Sequence, residues 1–373
     1  MSISGKSGLW RRLRPHLLVF DPVLTVALAM LVALSLITMH SAALDYDGRM
    51  LDHARNLFLA FSVMWLAANI PLAWMQRVAL PAWIAGVILL VAVALFGDVA
   101  KGARRWLDLG FMRVQPSELM KIAMPLTLAW WFQKREDVID WRDFLVAAVL
   151  LLIPLVLIAR QPDLGTAILV AAAGFYVIWF AGLGWKVIVG AVVLVLASSP
   201  IVWTLLHEYQ RQRILMLIDP SSDPLGRGFH VIQSTIAVGS GGITGKGWMQ
   251  GTQAHLEFVP ERTTDFIFAV FSEEFGLIGN LVLLAIYLLV IGRGLMIAAH
   301  GANLFARLLA GAITMVLFTY AFVNIGMVSG ILPVVGVPLP IMSYGGTAML
   351  TLGIGLGLLM SIARQRRRRL QDA

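Results

Sequence analysis

Cysteine is absent from the 373-residue chain. That removes disulfides, thiolate chemistry and cysteine-ligated metal sites. Charge is scarce as well: Asp, Glu, Lys and Arg make up 13% of the residues, against 59% hydrophobic. A soluble domain carries about 25% charged and about 45–50% apolar residues. The balance here excludes an ordinary water-soluble domain and implies a polytopic membrane protein. Paired histidines at metal spacing, an HExxH run and a nucleophile elbow are also missing. One stretch imitates a phosphate loop, Ser240-Gly-Gly-Ile-Thr-Gly-Lys246-Gly247. It has Ser240 in place of the first glycine, Gly247 where Ser or Thr must hold magnesium, and no strand before it. It therefore reads as a flexible outer loop without nucleotide. The net charge of +8 does not point to nucleic acid, because the basic residues cluster beside apolar runs as topology signals do.

What is present in quantity is apolar length. Runs lie near 22–40, 55–71, 79–96, 117–132, 144–160, 164–182, 185–206, 266–292, 307–330 and 347–363. The first is too long for a usual signal-peptide core, and many more follow. About ten helices result, each long enough to cross, or nearly cross, a ~30 Å hydrocarbon layer. An even number places both termini on one side. Lys6, Arg11, Arg12 and Arg14 at the start, and Arg364, Arg366, Arg367, Arg368 and Arg369 at the end, put that side in the cytoplasm. The expected fold is an all-α polytopic membrane protein forming one domain over 1–373. It has a cytoplasmic N-terminus (1–20), a large outer loop (207–264) between the seventh and eighth helices, and a basic cytoplasmic tail (364–373). A second outer loop covers 97–115.

Acidic groups concentrate between His255 and Gly276: Glu257, Glu261, Asp265, Glu273 and Glu274. Carboxylates at or below a membrane surface are costly and mark a functional site by default. In the expected topology every even-numbered helix starts at the outer face, where unpaired N–H groups favour anions. The polar motifs fall at those starts. They are Gln115-Pro-Ser-Glu118 followed by Lys121, Arg160-Gln-Pro-Asp163, Thr263-Thr-Asp265, and Ser343-Tyr-Gly-Gly-Thr347. If the starts converge they form an anion-binding mouth. The plainer alternative makes Asp163 and Asp265 helix caps and Glu118 a first-turn acid. Lys121 fits that alternative poorly, since it lies one turn beyond Glu118 on the same face. Glu273 and Glu274 point to different sides of their helix, so at least one is expected to pair with a neighbour. Arg104, Arg105, Arg213 and Arg262, on the outer loops, would attract an anionic headgroup or pyrophosphate.

Taken together, several of these motifs resemble the SEDS family (RodA, FtsW, SpoVE). They are Gly239-Ser-Gly-Gly242, Gly245-Lys-Gly247, Gly251-Thr-Gln253, Pro260-Glu261, Thr264-Asp-Phe266 and Glu273-Glu274. Gln115-Pro-Ser-Glu118, Gln161-Pro-Asp-Leu-Gly165, Leu332-Pro-Val-Val-Gly-Val-Pro-Leu-Pro340 and Ser343-Tyr-Gly-Gly346 resemble it too. The short N-terminus and Val334-Val-Gly-Val-Pro338 are most similar to RodA, the elongation member. The resemblance implies a peptidoglycan glycosyltransferase of the bacterial inner membrane that polymerises lipid II into glycan strands for cell elongation and rod shape. It implies a class B penicillin-binding protein as partner, beside other elongation-complex membrane proteins. It makes Asp265 the catalytic residue and places Glu118, Lys121 and Asp163 in the same cavity. Glu261 and Ser343 join the expected substrate site. Thr263 stands where relatives often carry His.

The implied reaction is a single inverting displacement with undecaprenyl pyrophosphate leaving. It needs one base and positive charge for the leaving group. Asp265 is the expected base. Lys121, Arg104, Arg105, Arg213 and Arg262 are the available cations, and the sequence does not rank them. A divalent cation (Mg or Mn) held by Asp265 is a further source of charge. The competing function is a flippase or transporter of the lipid-linked precursor. Transporters favour mid-membrane sites on broken helices in paired repeats. Here the polar motifs lie at helix starts, and Pro125 and Pro154 are unmatched breaks.

Overall fold

The computed structural model describes residues 19–372 apart from 101–102, 109–112, 162, 207, 220–226, 256–257 and 260. Each of the ten apolar runs lies in a helix. The first seven are α1 (Pro22–Ala42), α2 (Arg49–Ala68), α3 (Leu72–Phe96), α4 (Pro116–Gln133), α5 (Trp141–Ala159), α6 (Leu164–Phe180) and α7 (Trp185–Leu205). Among the described residues, six helices are long and apolar enough to cross a membrane by length and composition alone: α1, α3, α5 and, further along, those at Ile267–Ala299, Leu304–Val328 and Gly346–Gln365. Shorter apolar stretches occupy α6 and Trp185–Ile201 of α7. Arg49, Asp52 and Arg55 interrupt α2, and Glu118 and Lys121 interrupt α4.

Several helix starts follow from local chemistry. Asp21 caps α1 by accepting from the Leu24 amide, and Pro22 occupies the first turn, where its missing N–H costs nothing. Asp140 and Asp143 form a reciprocal capping box at α5. Asp21 also receives two bonds from Arg293, at 3.0 and 2.8 Å, which tie α1 to a helix far along the chain.

The two segments expected to be outer loops hold more structure than expected. The 97–115 segment is a three-stranded antiparallel meander, β1 (Asp98–Ala100), β2 (Ala103–Asp108) and β3 (Arg113–Val114). The 207–264 segment carries α8 (Glu208–Ile218), α9 (Arg227–Ser240) and the short α10 (Thr252–His255). It is followed by α11 (Ile267–Ala299), α12 (Leu304–Val328) and α13 (Gly346–Asp372).

Central in the bundle is α12, buried along most of its length and packed on α4, α6 and α11. Another close pairing is α13 with α2, where Gly353 and Gly357 permit backbone contact: a Cβ there would lie 2.5 Å from the Ala60 carbonyl oxygen and 2.4 Å from that of Met64. On α7, by contrast, Val192, Val193, Leu194, Val195 and Leu196 are all exposed.

Two expectations need correction. The helix near 266–292 is not continuous: Gly276 adopts φ 62° and ψ −160°, which breaks α11. Nor is the glycine-rich stretch a flexible loop, since its backbone is hydrogen-bonded into that break.

Candidate active site

Asp265 lies at the end of a tight turn leading into α11. Glu261 opens the turn at φ 49°, in the left-handed region, and its carbonyl accepts from the amides of Thr264 (2.9 Å) and Phe266 (3.4 Å). The Thr264 hydroxyl reaches the Glu261 carboxylate at 3.1 Å. Three consecutive carbonyls then receive donors from distant segments. The Tyr344 amide donates to Thr263 (2.8 Å), the Ser343 hydroxyl to Thr264 (2.6 Å) and the Asn324 amide group to Asp265 (2.8 Å). Asn324, on α12, also donates to the Val337 carbonyl at 2.7 Å. The backbone on both sides of the Asp265 side chain is thereby fixed to α12 and to the segment before α13. Such preorganisation is what a positioned base requires.

The cap of α11 is Phe266, which makes no side-chain cap bond, so Asp265 is not the N-cap residue. Its carboxylate faces a cavity of about 300 Å³ lined by Met216, Leu217, His230, Val231, Glu261, Asp265, Phe266, Leu332, Pro333 and Val334. Much of the wall thus comes from α8, α9 and the 332–334 loop. Gly336, at φ 73° in the left-handed region, lies beside the Asp265 carboxylate. His230 stacks on Phe266 with ring centroids 5.9 Å apart. Burial depresses its pKa below the ordinary value, and the Glu261 charge partly opposes that shift.

Glu118, Lys121 and Asp163 do not line this cavity. They form a buried cluster deeper among α4, α6 and α12. The Lys121 ammonium donates to Glu118 at 2.6 Å and to the Tyr320 hydroxyl at 2.7 Å. Asp163 caps α6 through the Thr166 amide and accepts from the Gln115 side chain at 2.9 Å. The 335–337 loop separates cluster from cavity. Gly165 packs so closely on it that a Cβ would lie 2.7 Å from the Val335 carbonyl oxygen, while Gly336 meets Asp265 on the other side.

Two expected substrate contacts are turned inward. Arg262 is 2% exposed, donates to the Ala42 carbonyl at 2.9 Å, pairs with Asp45 at 2.5 Å and lies over the Tyr46 ring. Ser343 is likewise 2% exposed, and besides bonding Thr264 it accepts from the Leu339 amide. Both brace the 261–266 turn. Arg49 adds a third brace: it donates to the Thr263 hydroxyl at 3.1 Å while held over the Tyr46 and Tyr344 rings. Arg105 donates to the Gln161 carbonyl at 3.4 Å. The side chains of Arg104 and Arg213, and the whole of Glu257, lie outside the described residues.

Among the described residues, no three His, Asp or Glu side chains converge as a metal cage. Magnesium characteristically binds through one or two carboxylates, completing its shell with phosphate oxygens and water. Asp265 and Glu261, both on the cavity wall, offer that number of carboxylates.

The sequence reading did not include His230, Val231, Met216, Leu217 or Pro333 in the site. A signal was available for α9: Val231, Ser234 and Ala237 are buried at a spacing of three, as on one face of a helix.

Comparisons agree with this architecture. The family whose profile matches, over residues 15–368, is described as cell cycle protein, FtsW/RodA/SpoVE. The chain is 51% identical over 364 residues to the peptidoglycan glycosyltransferase MrdB of Escherichia coli K12, covering 97% of both chains. It is 37% identical over 313 residues to MrdB of Helicobacter pylori, covering 82% of this chain and 80% of that one. Among solved structures it is similar to a chain of a peptidoglycan synthase complex that coordinates polymerization and crosslinking. There the TM-score is 0.81 and the identity 34%, with 94% of this chain and 99% of that one covered. Similarity extends to the rod shape determining protein RodA of Thermus thermophilus, with a TM-score of 0.71, 28% identity, and 94% and 98% covered.

Proposed function

Because the chain belongs to the FtsW/RodA/SpoVE family of cell cycle proteins, we propose that the cavity beside Asp265 is where a peptidoglycan glycosyltransferase joins its substrates. The chain is a multi-pass membrane protein and a peptidoglycan glycosyltransferase. Its donor is a glycan strand carried on undecaprenyl pyrophosphate, and its acceptor is lipid II. The acceptor 4-hydroxyl attacks the anomeric carbon of the donor. The new C–O bond forms as the bond to pyrophosphate breaks, and the configuration inverts. Asp265 takes the hydroxyl proton.

The observation that carries this reading is the bracing of Asp265. Bonds to the carbonyls of Thr263, Thr264 and Asp265 hold a carboxylate at a cavity wall where helix capping has no use for it. With Lys121 engaged by Glu118 and Tyr320, and Arg262 by the Ala42 carbonyl and Asp45, charge for the leaving pyrophosphate falls to Arg104, Arg105 and Arg213. A divalent cation, Mg or Mn, would supply Lewis-acid charge there when bound by Asp265.

We place the protein in the bacterial inner membrane with both termini in the cytoplasm, the 207–264 segment in the periplasm and the 364–373 tail basic and cytoplasmic. A class B penicillin-binding protein would contact that segment and the neighbouring ends of α11 and α12. Other membrane proteins of the elongation complex would join the assembly.

The test is polymerisation of purified lipid II by the protein with its cognate penicillin-binding protein. Asp265→Asn should fold, insert and bind the partner, yet lose about 10²–10⁴-fold in rate, the contribution typical of a positioned base. Near-normal polymerisation by Asp265→Asn would move the chemistry to Glu261.

A further inference from the structure

The glycine-rich stretch that imitates a phosphate loop is left without a task by the reaction above, and Glu273 is a buried carboxylate the reaction does not use. The two features are one device. Around the break at Gly276, α11 has carbonyls and amides with no helical partner. The 242–247 segment enters that gap. Lys246 and Gly247 donate their amides to the Glu273 and Glu274 carbonyls, both at 3.0 Å. The Leu277 and Ile278 amides donate to the Gly242 and Ile243 carbonyls at 2.9 and 3.0 Å. Glycine is required by the closeness: a Cβ at Gly241 would lie 2.1 Å from the Ser272 carbonyl oxygen, and one at Gly245 2.1 Å from that of Glu274.

Glu273 closes the far end of the segment. Fully buried, its carboxylate accepts from the Lys246 ammonium at 2.6 Å, the Gln253 amide at 2.9 Å and the Thr252 hydroxyl at 3.2 Å. Gly251 passes so near that a Cβ would lie 3.0 Å from it. What the clasp joins decides its use. On one side the segment continues from α9, which carries His230 and Val231 of the cavity wall. On the other it leads through α10 to the turn bearing Glu261 and Asp265. The braces described above fix Asp265 to α12 and to the segment before α13. The clasp fixes the connecting chain to α11, beside a Met249 backbone bond to the Glu274 carboxylate and the direct packing of α9 on α11.

We propose that Glu273 is a positioning residue for glycosyl transfer: with Lys246 it clasps the glycine segment into the break of α11 and so sets the α9 wall of the cavity against Asp265. The proposal rests on the glycosyltransferase reading. Loosening the wall leaves the binding groups in place but spoils the alignment of acceptor and donor, and alignment is felt in the transition state.

The experiment compares the wild type with Glu273→Gln, Lys246→Met and the double variant, each purified with the partner and supplied with lipid II. Lys246→Met leaves the buried Glu273 carboxylate, and Glu273→Gln the partly exposed Lys246 ammonium, without its counter-charge, and the double variant removes both charges. Each single substitution should lower kcat at least tenfold with KM for lipid II within threefold, and the double should regain at least half of the loss on a logarithmic scale. The proposal is overturned if Glu273→Gln keeps kcat within twofold. It is also overturned if the loss is only of folded protein, with kcat per folded molecule unchanged, or if the double is no better than the worse single. The wild-type and Asp265→Asn arms of the same assay report on the glycosyltransferase reading, so the two ideas fail separately.

Discussion

Replacing Gly276 by alanine tests the break in α11 against a control on the same helix. Gly276 occupies a backbone region, φ 62° and ψ −160°, that is essentially open to glycine alone. Forcing an L-residue into it costs about 1–3 kcal/mol. The new Cβ would also meet the Gly245 amide nitrogen at 2.3 Å and the Ile243 carbonyl oxygen at 2.8 Å. Both are backbone atoms and cannot rotate aside, so the docked segment must move. Losing two of its four backbone bonds to α11 would cost about 1–3 kcal/mol more, at about 0.5–1.5 each. Gly276→Ala should therefore destabilise the protein by about 2–6 kcal/mol. Gly292 lies on the same helix, and a Cβ added there would meet nothing within 4 Å. There the same substitution removes a helix-interior glycine and should stabilise by about 0.5–1 kcal/mol. The assay is unfolding of the purified protein in detergent, followed by helical signal against temperature and denaturant. Opposite shifts of the two variants are expected. A Gly276→Ala protein as stable as the wild type would refute the argument that the break is a built feature closed by the glycine segment.

Two further outcomes follow from groups already placed. Lys121→Met strands the Glu118 carboxylate among buried surroundings and should destabilise by about 3–5 kcal/mol, the usual consequence of breaking one half of a buried pair. The Glu118→Gln/Lys121→Met double should recover most of that, as a double-variant unfolding cycle would show, and additive losses would refute the pairing. His230, whose pKa burial lowers from 6.5, binds fewer protons in the folded protein than in the unfolded chain as pH falls through that value. Stability should therefore drop as pH is lowered from about 7 toward 5, with no His230 contribution above that range. The drop should be smaller in His230→Gln, and equal slopes for the two proteins would count against a half-buried neutral imidazole.

The helices were legible because apolar length marks a helix in a membrane protein, and among the described residues six of them are long and apolar enough to cross. Their starts were legible where the cap is a neighbour in sequence, as with Asp163 and Thr166. The site was legible only in part. Glu261 and Asp265 do share a cavity, but Arg262 and Ser343, equally close to the motifs in sequence, turn inward to Asp45 and Thr264. Successive residues in a turn face different ways, and no periodic rule says which way each will go. Glu273 and Glu274 show the same limit. Their different directions on the helix were readable, and their partners are Lys246 and Ser41, one on the docked glycine segment and one on α1. Contacts that span more than 200 residues, as that between Ser41 and Glu274 does, leave no local trace. The wall contributed by α9 escaped for a related reason: its buried positions recur over only two turns, inside a segment whose length and polarity suggested a loop.

The broken helix bears on the choice between enzyme and transporter. In transporters a helix break exposes half-helix ends, and those free carbonyls and amides hold the ion or substrate. In α11 the ends around Gly276 are already taken, since Glu273, Glu274, Leu277 and Ile278 all bond to the 242–247 backbone. The Glu273 side chain is likewise occupied by Lys246, Thr252 and Gln253. A substrate could reach those groups only by displacing the chain's own segment, at the cost of each bond it replaced. The carboxylates that line open volume are Glu261 and Asp265, which precede the helix, and Asp265 is braced from outside it. Break and cavity are thus separate: the first is a structural joint sealed by glycines, the second an open volume beside Glu261 and Asp265. That division favours chemistry at the mouth of α11 over passage through its middle.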